Sequence, residues 1–270
     1  MLVSIIIPVY KKEETVVKDI LNIWKTVKQT RWDCELIVVI DGFVDKSFER
    51  AKTIKKKNIK VFGYPTNKGK GYAVKYGMAR ARGDLVAFID SGMEINPNSI
   101  SMVLEHMEWY DADVIVGSKR HPASKTNLTA LRKLYSWGYY QLVKYLFGLR
   151  VKDTQAGLKV FRRKVLEKVL PRLLVKEYAF DVELLAVTNH LGFTRIYEAP
   201  IEITLDFDNS RFSKNWFPFM DKHIRKMMVD TLAVFYRLYL LRYYDDTSKR
   251  KWTYDNELKM RINTGEVTYD

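Results

Sequence analysis

Two carboxylates four residues apart, Asp90 and Glu94, follow the apolar run Leu85-Val86-Ala87-Phe88-Ile89. Carboxylate oxygens at this spacing can hold a divalent cation, and a bound Mg²⁺ or Mn²⁺ then completes its shell with water and substrate phosphates. The same residues allow a plainer outcome, in which Asp90 caps the turn announced by Ser91-Gly92 and Glu94 is solvated surface. Asn67-Lys68-Gly69-Lys70-Gly71 is a second feature directed at anions. Two glycines and two lysines stand just before a helical segment, where backbone N–H groups and the Lys70 ammonium favour a phosphate. The spacing is not that of the Walker loop, and an ordinary basic turn has the same composition. Near the end of the first apolar run, Tyr10 can stack on a base. Asp41, after the second, can accept hydrogen bonds from base or ribose, or serve only as an Asp-Gly turn.

These side chains need elements to hold them. Residues 2–9 are apolar and β-branched, with Pro8 at the close, and residues 13–27 show helical spacing through Val16, Val17, Ile20, Ile23, Trp24 and Val27. Residues 34–40 predict a second strand, 48–57 a helix, 59–64 a third strand and 71–81 a helix leading into the strand that ends at Asp90. Such alternation implies βαβ units and a mostly parallel sheet, here a Rossmann-like nucleotide-binding half. In a parallel sheet the ends at Pro8-Val9-Tyr10, Asp41-Gly42 and Asp90-Ser91-Gly92 open on one edge, so one crevice collects all three.

The composition bounds the partners. The chain has 270 residues, is 47% apolar and carries 46 Lys+Arg against 32 Asp+Glu, a net charge of +14. A sizeable core and an anionic partner follow: phosphorylated substrates, a membrane surface or nucleic acid. No nucleic-acid module is recognisable, so nucleic acid is not expected. Cys34 is the single cysteine, which excludes an intrachain disulfide or thiolate cluster and fits a reducing compartment. His106, His121, His190 and His223 have no metal-ligand spacing. No charge-free stretch is long enough to span a bilayer, and the first ten residues lack signal-peptide character. Membrane contact is therefore expected to be peripheral. The sequence carries no signal for oligomeric state.

Taken in order, Val3-Ser4-Ile5-Ile6-Ile7-Pro8-Val9-Tyr10, Asp41-Gly42, Asn67-Lys68-Gly69-Lys70-Gly71, Ala81-Arg82-Gly83-Asp84, the Asp90 turn and Val116-Gly117-Ser118-Lys119 resemble the inverting glycosyltransferases of family 2. Asp153-Thr154-Gln155-Ala156-Gly157-Leu158-Lys159-Val160-Phe161 and Ala179-Phe180-Asp181-Val182-Glu183-Leu184-Leu185 resemble the dolichyl-phosphate glucose synthases first and the mannose synthases next. The resemblance covers residues 2–214. It implies a GT-A-type α/β fold, a nucleotide-sugar donor, a polyprenyl-phosphate acceptor and a site on the cytoplasmic face of a membrane. By position, Pro8, Tyr10 and Asp41 would hold the nucleotide, and Asp90 with Glu94 the cation. Arg132 and Ser136 match residues on the acceptor phosphate, Lys119 stands where the mannose synthases have arginine, and Arg120 is beside it. Arg211 and Lys214 resemble a late basic loop over the donor diphosphate.

The sequence departs from the family at three places. The second Asp of Asp-X-Asp is Gly92, the Asn-Glu after the first strand's tyrosine is Lys11-Lys12, and Asp-Asp-Gly is Ile40-Asp41-Gly42. A cation thus loses one oxygen ligand, and the base loses an acidic contact. Attack by a phosphate needs no strong base, since a phosphate monoester already carries about 1.5–2 negative charges at pH 7. The leaving diphosphate does need cations, which the metal, Arg211 and Lys214 would supply. Asp181 has two roles open to it, lining the sugar site or capping the helix that follows, and Asp153 could line the donor pocket or begin a turn. Two other functions stay open: transfer to a glycan or protein hydroxyl, with Asp181 as base, and non-catalytic binding of a nucleotide sugar or lipid.

Residues 1–215 are expected to form the GT-A domain, 216–244 an amphipathic segment and 245–270 a polar tail. In the second of these, Lys226, Asp230, Ala233, Arg237 and Tyr244 make a narrow polar stripe opposite Met227, Met228, Thr231, Phe235, Leu238 and Tyr239. That broad face could lie in an anionic membrane interface or pack on the main domain. Trp137, Tyr139, Tyr140, Tyr145 and Phe147 make residues 131–148 another interfacial candidate.

Overall fold

A computed structural model describes residues 1–124, 130–177, 179–203, 222–245 and 250–267. Its centre is a seven-stranded sheet. In chain order β1 (Leu2–Val9), β2 (Asp33–Asp41), β3 (Ile59–Tyr64), β4 (Leu85–Ile89), β5 (Val114–Ser118), β6 (Leu158–Arg162) and β7 (Ile196–Pro200) lie side by side as β3-β2-β1-β4-β6-β5-β7. Every pairing is parallel except the two made by β6. The mostly parallel sheet expected from the alternation is therefore present, with one reversed strand between β4 and β5 that the sequence did not announce.

Period-2 alternation divides the core. Ile5, Ile7 and Val9 of β1 join the cluster under α1 (Val16–Val27), α2 (Ser47–Lys52) and α4 (Ser99–Trp109), while Ile6 joins the cluster under α3 (Lys70–Met78) and α7 (Phe180–His190). The strands are apolar on both faces because helices cover both. Helix α1 begins at Val16 rather than residue 13 and buries Val16, Ile20, Ile23 and Val27, the spacing that marked it in the sequence. Pro8 pairs with Val39 and stands beyond the Ile6–Phe88 pair that ends the β4 ladder, so its missing N–H breaks no bond on that side.

The second half adds α5 (Ala130–Phe147), α6 (Arg163–Val169), α8 (Lys222–Phe235) and a π-turn at Tyr236–Leu240. The apolar face expected to reach lipid is largely turned inward. Thr231, Val234 and Leu238 are buried, the Tyr139 and Thr231 hydroxyls lie 2.9 Å apart, and Phe147 meets Phe235 edge-on. A different stripe, Val229, Leu232, Tyr236 and Leu240, is exposed. Among the described residues no helix is long and apolar enough to cross a membrane.

Residues 250–267, within the stretch expected to be a polar tail, are ordered as two strands and the turn between them. β8 (Arg250–Asp255) and β9 (Met260–Val267) form an antiparallel hairpin. It docks because its apolar residues have somewhere to go. Leu258 is buried, Met260 and Ile262 pack on the core, Trp252 lies 5.1 Å from the Arg172 guanidinium, and the Tyr243 hydroxyl donates to the Asn263 carbonyl. Below the hairpin, a cavity of ≈ 560 Å³ lined by Met78, Val86, Leu166, Leu170, Trp252 and Met260 lies at the opposite end of β4 from Asp90.

Candidate active site

The order β3-β2-β1-β4 reverses direction at β1, and an open sheet has its crevice outside the carboxyl ends of the strands at such a point. Asp90 is the first residue after β4. The reversed strand β6 begins at this same edge, which brings residues 153–157 alongside, and the Asp90 N–H donates to the Gly157 carbonyl. Two buried polar atoms lack a hydrogen-bond partner among the described residues, Asp90 Oδ1 and Gln155 Nε2, and both belong to this pair of loops. Asp90 Oδ1 is met by an ammonium, that of Lys70 at 2.7 Å, which leaves the Gln155 amide as the buried group whose state calls for an explanation such as a ligand.

Contact between the two loops depends on glycine. A Cβ on Gly157 would lie 2.5 Å from the Asp90 carboxyl carbon. Gly157→Ala is expected to swing Asp90 aside and to lower turnover by about 100-fold, the scale of a ~1 Å misplacement. Steady-state rates on a variant with an unchanged melting curve check this.

Lys70 opens α3 and reaches Asp90, with Nζ 2.7 Å from Oδ1 and hydrogen-bonded to Oδ2 at 2.9 Å. Burial works to lower its pKa, but Asp90, helped by Asp181 and Glu94, raises it above the ordinary lysine value, so the ammonium is fixed in charge. The loop before it is held from below by Asp41. That carboxylate is 3% exposed and accepts from the Tyr64 hydroxyl at 3.0 Å, Asn67 Nδ2 at 3.0 Å, Lys68 N–H at 2.7 Å and Gly69 N–H at 3.1 Å. Gly69 makes the turn with φ +95°. Both Asp41 oxygens are thus committed to holding the 67–69 loop in place rather than standing open at the crevice. Pro8 is buried in β1, and Tyr10 just beyond is half-buried with Lys11 Nζ 5.4 Å from its ring centroid.

Asp181 is not the cap of α7. Ala179 holds that place, and Asp181 stands in the first turn with its side chain turned inward onto Lys159 at 2.5 Å. Lys159 has no exposed surface, also donates to the Ala156 carbonyl at 2.6 Å and lies 5.1 Å from the Phe88 ring centroid. Burial pushes its pKa down against the pull of Asp181. The pair was missed in the sequence, although a lone lysine inside Leu158-Lys159-Val160-Phe161 is a signal in itself, since a buried strand tolerates a charge only with a partner. Gln155 gave no comparable sign.

The acceptor-side candidates gather at the end of β5. The Lys119 N–H donates to Asp153 at 2.9 Å, with Lys119 Nζ 3.8 Å from the same carboxylate, and Arg120 Nε donates to the Ser136 hydroxyl at 3.2 Å. Asp153 therefore ties this cluster to the loop that touches Asp90. Arg132 is on α5 with its side chain outside the described residues, and Arg211 and Lys214 lie outside them altogether.

Among the described residues no three metal-ligating side chains converge. Gly92 leaves Asp90 without the second aspartate, and Glu94 is exposed. Asp90 is therefore the one carboxylate at the crevice edge among the described residues, and since its Oδ1 lies 2.7 Å from Lys70 Nζ, a cation bound there with phosphate and water would have to share the carboxylate with that ammonium.

Comparison with known proteins places the chain in a family. The sequence profile of glycosyl transferase family 2 matches residues 4–170. A dolichyl-phosphate beta-glucosyltransferase of Drosophila melanogaster is 31% identical over 79% of this chain and 70% of its own length. The enzyme of that name from Dictyostelium discoideum is 28% identical over 70% of this chain and 62% of its own length. Among solved structures, glucosyl-3-phosphoglycerate synthase of Mycobacterium tuberculosis, in complex with Mn²⁺, UDP-glucose and phosphoglyceric acid, superimposes with a TM-score of 0.61 at 18% identity, covering 98% of this chain and 87% of that one. That likeness is one of fold.

Proposed function

The chain belongs to glycosyl transferase family 2, and on that premise we propose that it moves a hexose, glucose first and mannose next, from a nucleotide sugar to a polyprenyl phosphate of the dolichyl type at a membrane surface. The observation that carries this is the 153–157 loop, which touches Asp90 on the donor side and Lys119 on the other. Two groups of anion-directed side chains are thus tied to a single loop.

Each part has a chemical task. Lys70, carried by the 67–69 loop that Asp41 holds, takes the donor diphosphate and opposes the charge that grows on it as the glycosidic bond breaks. Asp90 would hold a donor-bound Mg²⁺ or Mn²⁺, which supplies further positive charge to the leaving group. Lys119, Arg120 and Ser136 take the acceptor phosphate, arginine by its planar fork and lysine as a point charge. The phosphate oxygen attacks unaided, so no free base is needed. A hydroxyl acceptor would need one, and Asp181 is 5% exposed and bound to Lys159, which favours the phosphate.

The membrane assignment rests on α5 and α8, which pack together. Trp137 and Tyr145 on the first are 53% and 89% exposed, and Val229, Leu232 and Tyr236 lie bare on and just beyond the second. Aromatic and apolar groups beside basic charge suit a lipid interface. A net charge of +14 suits the anionic cytoplasmic leaflet.

Labelled sugar offered as UDP-glucose or GDP-mannose, with dolichyl or undecaprenyl phosphate as acceptor, is expected to appear on the lipid. Absence of transfer from every donor, in Mg²⁺ and in Mn²⁺, overturns the proposal.

A further inference from the structure

The tip of the C-terminal hairpin reaches the donor loop from 189 residues away in sequence. Glu257 Oε2 lies 2.5 Å from Lys68 Nζ, and the Lys68 ammonium sits 5.4 Å and 4.7 Å from the ring centroids of Tyr64 and Tyr72. Lys68 is therefore gripped at both ends, its backbone N–H by Asp41 and its side chain by Glu257. The grip is prepared in advance. Asp255 accepts the N–H groups of Glu257 and Leu258 at 2.8 Å each, Leu258 is buried, and Arg80 donates to the Glu257 carbonyl at 2.6 Å. The turn that carries the carboxylate is already fixed, which lowers the ordering cost of the contact.

We infer that Glu257 is a positioning residue for the donor site: by holding Lys68 from the hairpin tip it fixes the 67–71 backbone from which Lys70 reaches Asp90. The inference rests on the donor-site assignment above. It gives the hairpin a part in sugar transfer, although its strands supply no group to the reacting atoms. The contrary arrangement has the opposite sign. Were Lys68 itself a ligand of the donor, Glu257 would compete with the nucleotide, and removing its charge would tighten binding.

Glu257→Gln keeps the shape and removes the charge, and Lys68→Glu with Glu257→Lys restores a pair in reverse. Amide hydrogen exchange across residues 66–72 is expected to quicken by about two- to fivefold in Glu257→Gln, the scale of one partly exposed ion pair, and to return toward wild type in the exchanged pair. With labelled donor, the KM for nucleotide sugar is expected to rise by about the same factor while kcat and the KM for lipid phosphate stay within about twofold. Unchanged exchange, or a lower donor KM, overturns the inference. So does a common fall in kcat and both affinities with a lowered melting temperature, which would make Glu257 merely structural. Hydrogen exchange needs no substrate, so a failed transfer assay tells against the proposed reaction while the loop result still decides the role of Glu257.

Discussion

Asp90→Asn is expected to lower the rate of sugar transfer by about 100- to 1,000-fold, the range seen when one preorganised charge is removed from a developing anion. The substitution keeps the size of the side chain and its contact with the Gly157 loop, so the fold survives. What is lost is the negative charge that holds Lys70 in place and that a donor-bound cation would share. Without its counter-charge Lys70 is free to swing. The measurement is kcat at saturating donor and acceptor, with nucleotide binding followed separately by calorimetry. A variant that binds UDP as wild type yet transfers at more than about a tenth of its rate would remove Asp90 from the chemistry.

Asp181→Ala is expected to cost about 3–5 kcal/mol of stability, because it strands the Lys159 ammonium with no exposed surface and no carboxylate beside it. Urea unfolding at pH 7 measures the loss. The double variant Asp181→Ala with Lys159→Met is expected to regain more than half of it, since a well-packed apolar pair replaces a buried ion pair at little cost. The sign with pH follows from the direction of the Lys159 shift. Its pKa is lowered in the folded state, so the unfolded chain holds the extra proton between the two values and stability rises with pH across that window. The deficit of Asp181→Ala should thus be fullest at neutral pH and shrink toward about pH 10.4, the ordinary lysine value.

The two variants probe different layers of one site, and the sequence exposed them unequally. Asp90 and Lys70 could be located because each stands at a strand end or helix start with distinctive neighbours, and parallel strands bring such ends to one edge. The place of Lys159 beside the site was hidden by chain reversal: nothing in Leu158-Lys159-Val160-Phe161 says that β6 runs against its neighbours, and only that direction carries the 153–157 loop to Asp90. The same limit applied at the C-terminus. Lys249-Arg250-Lys251-Trp252 has the charge of a solvated tail, and its strand partner lies some ten residues on, so the hairpin becomes visible only when Trp252, Leu258 and Met260 find apolar surface. For α8 the helical period was legible but the direction of its inner face was not. Val234 and Leu238 point to the core while Val229 and Leu232 do not, a choice made by α5 and α7 rather than by hydropathy.

Because β5 ends and β6 begins on the same edge as neighbouring strands, with Val116 opposite Lys159, the whole of residues 119–157 departs from and returns to nearly one point. Such an excursion behaves as a cassette. Its stems are stitched together by the sheet, so its length and content can drift over evolution without disturbing the register of the strands that carry Asp90. Insertions within residues 121–152 are therefore expected to leave the β4–β6 register intact, whereas changes at residues 153–157 are not neutral, because that stretch touches Asp90.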